Sequence, residues 1–295
     1  SCEDTRDNAY LRRKIYEGYK DNRKGSANDE LSVQFEDVRD AIRSMGIKQL
    51  SMNGYEADDV IAAVVKKFKK PGLRIIIVTG DKDMSQLVDS VNDVEVHLNN
   101  GKGSGKLKYE ELITESDVID KYGVHPHQIP DLFGLIGDSS DGIPGVSGMH
   151  ENIAKILLDN HHFRNLEELY DNLDGLKEDI PGMSVSKLRI ILEHGKDVAF
   201  MSKLLASPLP LELPDMTIGS FIVNPDPIPL AEFTHKHGIE FMNKDLGFVA
   251  YLSEMQKYMS LVRLLTACNN DYYRTGKSKI SDLEYDRLLE ELKEM

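Results

Sequence analysis

Four short stretches place Asp or Glu where one structural element should hand over to the next: CEDTR at 2–6, YEADD at 55–59, GDKD at 80–83 and GDSSD at 137–141. Clustered carboxylates of this kind suit hard cations. Magnesium takes oxygen ligands in octahedral geometry, and two such ions roughly 4 Å apart can clamp an in-line displacement at phosphorus. One ion activates a water and the other steadies the leaving oxygen. Seating both takes carboxylates from several elements, because a single helix face cannot surround two ions. Each stretch alone has a plainer explanation: an acidic helix start favours the helix dipole, and a Gly-Asp after a strand can cap a turn. Recurrence at the ends of strands favours a metal site over four unrelated caps.

The elements that would position these groups can be read from periodicity. Residues 73–79 (LRIIIVT) form a short apolar run rich in Ile and Val, the mark of a buried parallel strand, and a weaker strand follows at 94–98. Leu31, Val33, Phe35, Val38, Ile42 and Met45 recur at helical spacing over 31–45, with Gly46 as a stop. A short strand is expected at 47–52, a turn at Asn53-Gly54, and a helix opening on EADD. Strand and helix in alternation predict an α/β domain with an open, mainly parallel sheet and helices on both faces. Ligands bind such sheets at the carboxyl ends of strands, where Asp81 falls. From 109 to 205 the pattern is mostly helical, with PGVSG at 144–148 between two helical stretches. Pro208, Pro210, Pro214, Pro225, Pro227 and Pro229 mark 206–230 as extended connection, followed by a small helical segment at 230–256. The tail from 257 reads as helix, polar loop, helix.

Composition narrows the class. The 295 residues carry 36 Lys and Arg against 50 Asp and Glu, a net charge of −14. That argues against coating nucleic acid by bulk electrostatics, unless metal ions neutralise carboxylates and the basic residues are gathered locally. One such gathering is DNAYLRRKIYEGYKDNRK at 7–24, which reads as a helix followed by a mobile basic loop. Cys2 and Cys268 lack metal-type spacing and suggest no disulfide framework, so a reducing, cytoplasmic setting is expected. No apolar run reaches the roughly 20 residues that span a membrane, and no leader is evident. The start at Ser1 reads as that of a fragment or a processed chain.

With these residues on the page, the sequence resembles the 5′ nuclease family: the N-terminal nuclease domain of bacterial DNA polymerase I and the phage flap endonucleases and 5′–3′ exonucleases. The motifs are EGYKDNR (17–23), GYEADDVIA (54–62), TGDKDMSQLV (79–88), YGVHPHQIPD (122–131) and LIGDSSDGIPGVSG (135–148), in order. The resemblance implies a PIN-like catalytic domain at 1–125 with a basic arch at 7–30, a helix–hairpin–helix subdomain at 126–256 and a tail at 257–295. It implies two Mg2+ or Mn2+ ions, with Asp4, Glu56, Asp58 and Asp59 serving the first and Asp81, Asp83, Asp138 and Asp141 the second. Lys20 and Arg23 match a basic pair beside the scissile phosphate. Arg12, Arg13, Tyr19, Gly145 and Gly148 are the expected DNA contacts, the tyrosines Tyr10, Tyr16 and Tyr19 by stacking and the glycines through hairpin amides that often hold a potassium ion. His150 and Asn152 stand where the family has glycine and lysine, so a weaker, shape-only duplex contact is expected there. The family also begins with a buried strand ending in Asp-Gly, whose Asp is a ligand. The sequence starts after it, so the expected sheet lacks one strand, and the chain alone should cut weakly or not at all.

The tail NNDYYRTGKSKISDLEYDRLLEELKEM (269–295) carries a second resemblance, to the first domain of NAD-dependent DNA ligases. It implies binding of NAD or its nicotinamide mononucleotide half through Tyr272, Tyr273, Asp282, Tyr285 and Asp286, and a partnership with a DNA ligase or replication proteins. The expected function is hydrolysis of DNA at a 5′ flap or 5′ end in replication or repair. The competing expectation is a flap- or junction-binding protein that has lost catalysis. A different α/β phosphohydrolase is disfavoured by the basic Tyr-rich arch and the hairpin glycines.

Overall fold

A computed structural model describes residues 1–5, 7–23, 34–98, 111–158, 163–223, 233, 236–238, 261, 264–265 and 280–294. The chain separates into two compact units. One holds residues 2–27 and 50–218, and the other holds Ser1, 28–49 and 219–295.

The larger unit begins with helix α1 (Tyr10–Ile15) and a 3₁₀ turn at Asp21–Arg23. Helix α3 (Ala57–Phe68) follows a capping box in which Glu56 is the N-cap and Asp59 returns a bond to the Glu56 amide. Its Val60, Ala63 and Val65 are buried, while Lys66 and Lys67 occupy the last turn, where cations suit the dipole. Strands β1 (Ile75–Thr79) and β2 (Val94–Leu98) pair in parallel, Ile75 opposite Val94 through Thr79 opposite Leu98. Strand β3 (Glu111–Ile113) adds an antiparallel edge to β2, which periodicity did not reveal in so short a segment. Of the strand expected at 47–52, the described residues retain one parallel bridge, Leu50 with Cys2.

The sheet is buried on one face. Ile77, Val94, Val96 and Leu98 pack with Val65 of α3 and with Met84. Each such apolar side chain contributes about 1.5–3 kcal/mol on leaving water. The opposite face leaves Ile76, Val78 and Leu112 exposed.

Helices α4 (Glu115–Tyr122), α5 (Ile129–Ile136), α6 (Glu151–Leu158), α7 (Leu166–Asp171) and α8 (Val185–Ala206) complete this unit. They share one apolar core running from Val118 through Leu132, Leu157 and Leu169 to Leu192. Buried polar groups are paired within it: Gln128 donates to the Leu158 and Arg164 carbonyls, and Asp131 accepts from the Leu166 amide and from Lys203. This core includes side chains from both sides of residue 125.

In the smaller unit, helix α2 (Gln34–Ser44) lies within the helix expected at 31–45, and α9 (Asp282–Glu294) is the last helix of the tail. Most of the segment at 230–256 and the first part of the tail lie outside the described residues. No helix among the described residues is long and apolar enough to cross a membrane.

Candidate active site

Three of the acidic stretches deliver side chains to one concave pocket, lined by Glu56 and Asp58, by Asp81 and Asp83, and by Asp138 and Asp141. The first pair stands at the N-terminus of α3. Asp81 follows β1 and caps the 3₁₀ turn Lys82–Leu87, its Oδ1 accepting from the Asp83 amide at 2.9 Å. The last pair lies on a turn closed by mutual backbone hydrogen bonds between Asp138 and Ile143, and Asp138 Oδ1 accepts from the Ser140 amide and hydroxyl. Asp4 stands next to this group: its Oδ1 accepts from the Ala57 amide at 2.7 Å and so helps cap α3.

The carboxylates strain against one another. Burial, then the charges of Asp81 and Glu56, push the Asp58 carboxyl up to about 7. Burial, then Asp81 and Asp138, push Asp83 up to about 6. Asp83 Oδ1 is buried with no hydrogen-bond partner among the described residues. An orphaned acceptor among repelling carboxylates, all of them hard oxygens, is the donor set a divalent cation takes. The residues therefore fit such an ion in kind. Among the described residues, however, no three His, Cys, Asp or Glu side chains converge tightly enough to hold one as they stand.

Cationic and hydroxyl groups reach the same carboxylates. Lys20 Nζ donates to Glu56 Oε1 at 2.7 Å and lies 3.5 Å from Asp141 Oδ2. The Tyr19 hydroxyl is 3.0 Å from Glu56 Oε2 and 3.3 Å from Asp141 Oδ2. Burial and these two acids raise the Tyr19 phenol well above its ordinary value, so it remains a neutral donor.

Several expected site residues are buried and paired within the protein. Tyr19 is 1% exposed and offers no face for a base to stack on. Arg12 is 4% exposed at the pocket wall, and its guanidinium is committed to Asp59. Asp59 itself is fully buried in that pairing, away from the pocket lining. Gly145 is also buried. Its amide donates to Ser202 Oγ, and a Cβ on it would sit 2.2 Å from the Gly137 nitrogen. Its φ of +64° and this close approach explain the glycine without any phosphate or potassium ion. Gly148, with φ +82°, is exposed.

Arg13 is exposed and donates to the Tyr19 carbonyl. Tyr10 is 53% exposed beneath the Lys14 ammonium, while Tyr16 packs against a small cluster with Ala9 and Tyr19. The Arg23 side chain, Tyr272, Tyr273 and the Asp282 side chain lie outside the described residues. Tyr285 and Asp286 are on α9, the first half-buried and the second exposed.

Phe133 lines the cavity as well, and its ring meets that of Tyr122 at the end of α4, whose phenol is pushed up to about 12 by burial and then by the charges of Asp83, Asp81 and Asp138. Tyr122 opens the motif YGVHPHQIPD, a signal that named the segment but not the side chain.

Comparison with known proteins agrees with this geometry. The sequence model of the 5′–3′ exonuclease N-terminal resolvase-like domain matches residues 1–123, and that of the 5′–3′ exonuclease C-terminal SAM fold matches 124–217. The 5′–3′ exonuclease of Buchnera aphidicola subsp. Acyrthosiphon pisum is 32% identical over 216 residues, covering 72% of this chain and 71% of that protein. The chain belongs to the 5′–3′ exonuclease family. DNA polymerase I of Caldicellulosiruptor bescii is 43% identical over 210 residues, 70% of this chain, but the match spans 23% of that longer protein. Among solved structures, the T5 D15 protein co-crystallized with metal ions has a TM-score of 0.54 at 20% identity, covering 69% of this chain and 73% of that one. That likeness establishes a shared fold. A third sequence model, the DNA ligase-like N-terminal NAD+-binding domain, matches residues 252–295.

Proposed function

We propose that this chain hydrolyses DNA phosphodiesters as a structure-dependent 5′–3′ exonuclease or flap endonuclease of replication or repair, with two divalent ions. The observation that carries the reading is the pocket: six carboxylates from three segments, two of them with carboxyls pushed up by burial and mutual repulsion. Relatives named 5′–3′ exonuclease and DNA polymerase I support it, as does the fold shared with the D15 flap endonuclease solved with DNA and metal ions.

Glu56 and Asp58, with Asp4 beside them, would hold one ion, and Asp81, Asp83, Asp138 and Asp141 the other. Bound Mg2+ or Mn2+ supplies an activated water and counter-charge for the leaving oxygen. Lys20 is steered to the pocket by Glu56 and Asp141, where its ammonium can stabilise charge growing on a phosphoryl group. Arg13 and the exposed backbone at Gly148 offer contacts to the DNA backbone outside the pocket.

The test is cleavage of 5′-flap, nicked and blunt DNA in Mg2+ against EDTA. Cutting near the junction in Mg2+ alone is expected. Flap binding in Ca2+ without cutting in Mg2+ or Mn2+ would instead favour a junction-binding protein.

The tail extends the proposal. Its match to the ligase-like NAD+-binding domain supports a hold on nicotinamide mononucleotide or NAD through Tyr285 and Asp286, joined by Tyr272, Tyr273 and Asp282, and a coupling of end trimming to strand sealing with a DNA ligase. Calorimetry of the full chain with nicotinamide mononucleotide checks this, and absence of binding would count against it.

A further inference from the structure

We infer that Asp59 serves the pocket as one half of a buried ion pair with Arg12, and not as a metal donor, and that Arg12 is the residue that positions Glu56. The inference rests on the pocket being the metal site proposed above.

An ionised carboxylate offers about four acceptor positions. Asp59 Oδ1 accepts from Arg12 Nη2 at 2.8 Å and from the Leu209 amide at 2.7 Å. Asp59 Oδ2 accepts from Arg12 Nη1 at 2.7 Å and from the Glu56 amide at 2.9 Å. All four positions are filled, and the residue is 0% exposed. A cation at Asp59 would have to displace a two-point, charge-assisted bond in a dry site, and these are among the strongest polar contacts a protein makes. The neighbouring Asp58, one residue away, has no such partner and faces the pocket instead.

Arg12 is equally committed. Its Nε donates to the Leu205 carbonyl at 3.1 Å and Nη2 donates to the Ser207 carbonyl at 2.8 Å. With the two bonds to Asp59, four of its five N–H groups are used, and Nη1 stands 3.5 Å from Glu56 Oε2. The pair therefore ties α1, the start of α3 and the chain leaving α8 to one point. Glu56 is fixed to that point twice, through its amide by Asp59 and through its carboxylate by Arg12. Lysine could supply the charge but not the planar fork that reaches a carboxylate and two carbonyls at once.

The experiment counts bound ions on the full chain by Mn2+ electron paramagnetic resonance, alongside melting temperature and flap cleavage. Asp58→Asn should lose an ion. Asp59→Asn should keep the wild-type number of ions while kcat falls about 10–100-fold at little change in KM, the usual cost of losing a group that orients a metal ligand. Arg12→Lys should behave like Asp59→Asn, and millimolar guanidinium should restore part of the activity of Arg12→Ala, a rescue that a purely structural arginine would not show. If Asp59→Asn does not fold, the neutral pair Arg12→Gln with Asp59→Asn replaces it and should still bind the full number of ions. Wild-type chain that binds no ion would overturn the functional reading and this inference with it. Normal wild-type binding, with an ion lost in a folded Asp59→Asn chain or in the neutral pair, would overturn this inference alone.

Discussion

The ammonium of Lys20 donates to the Glu56 carboxylate at 2.7 Å across 36 residues of sequence, and its own backbone is held in place to do so. Lys20 takes a φ of +55°, a left-handed conformation that costs a residue with a Cβ about 1–2 kcal/mol. Its amide donates to the Asp141 carbonyl at 2.8 Å, which secures that conformation. One residue thus binds both acidic groups, through its main chain on one side and its side chain on the other.

Removing the ammonium separates its chemical role from its structural one. Lys20→Met should lower flap cleavage about 10²–10³-fold, the range seen when a group that stabilises transition-state charge is lost. The same change should push the Asp58 carboxyl of the metal-free chain further up, because Lys20 is a charge that draws it downward. Cleavage rates in Mg2+ and melting curves in EDTA from pH 5 to 9 check both statements.

Acidity should also control the stability of the metal-free chain. Asp58 and Asp83 hold protons in the folded state up to about 7 and about 6, whereas an unfolded Asp releases its proton near about 3.9. Between those limits the folded chain binds more protons than the unfolded one, so stability falls as pH rises. The melting temperature in EDTA should drop from pH 5 to pH 8, Asp58→Asn should flatten the drop, and Mg2+ should reverse it mainly at the upper end. A melting temperature in EDTA that rises over this range would contradict the shifts.

The sequence made the acidic groups and their carriers legible because strand ends and helix starts are local signals. β2 lies where alternation placed it, and GDKD does follow the best apolar run. What stayed hidden was which side of α3 each acid would face. Asp58 and Asp59 are adjacent and chemically alike, yet one lines the pocket and the other meets Arg12, because successive helical residues point about a third of a turn apart. Arg12 and Tyr19 looked like DNA contacts because composition cannot report burial. Gly145 matched a phosphate-binding pattern but meets the backbone of Gly137 instead, a long-range packing fact no spacing rule contains.

That contrast makes the two hairpin glycines separable. Alanine at Gly145 must place a Cβ 2.2 Å from the Gly137 nitrogen and 2.4 Å from the Ile136 carbonyl carbon, both backbone atoms. Gly145→Ala should cost at least about 2 kcal/mol, from left-handed strain and overpacking together. Gly148→Ala meets only the flexible end of Ile191 at 3.5 Å, so its cost should be about 1 kcal/mol of backbone strain. Urea unfolding measures the difference, and gel-shift binding of duplex DNA should weaken in Gly148→Ala at full folding.

Two buried tyrosines give a final check on how the interior is paired. The hydroxyls of Tyr122 and Tyr170 are buried without hydrogen-bond partners among the described residues, in side chains 8% and 7% exposed. A buried, unsatisfied hydroxyl costs about 1–3 kcal/mol, and phenylalanine removes it while keeping the ring contacts with Phe133 and Phe200. Tyr170→Phe should therefore stabilise the chain by about 1 kcal/mol and leave cleavage unchanged, since burial alone shifts its phenol. Tyr122→Phe should bring a similar gain, but its hydroxyl feels Asp83, Asp81 and Asp138, so cleavage should fall even as the melting temperature rises. Equal activity in the two variants would mean that the Tyr122 hydroxyl has no part in cleavage. A loss of stability in both would mean that each hydroxyl has a partner in the folded chain.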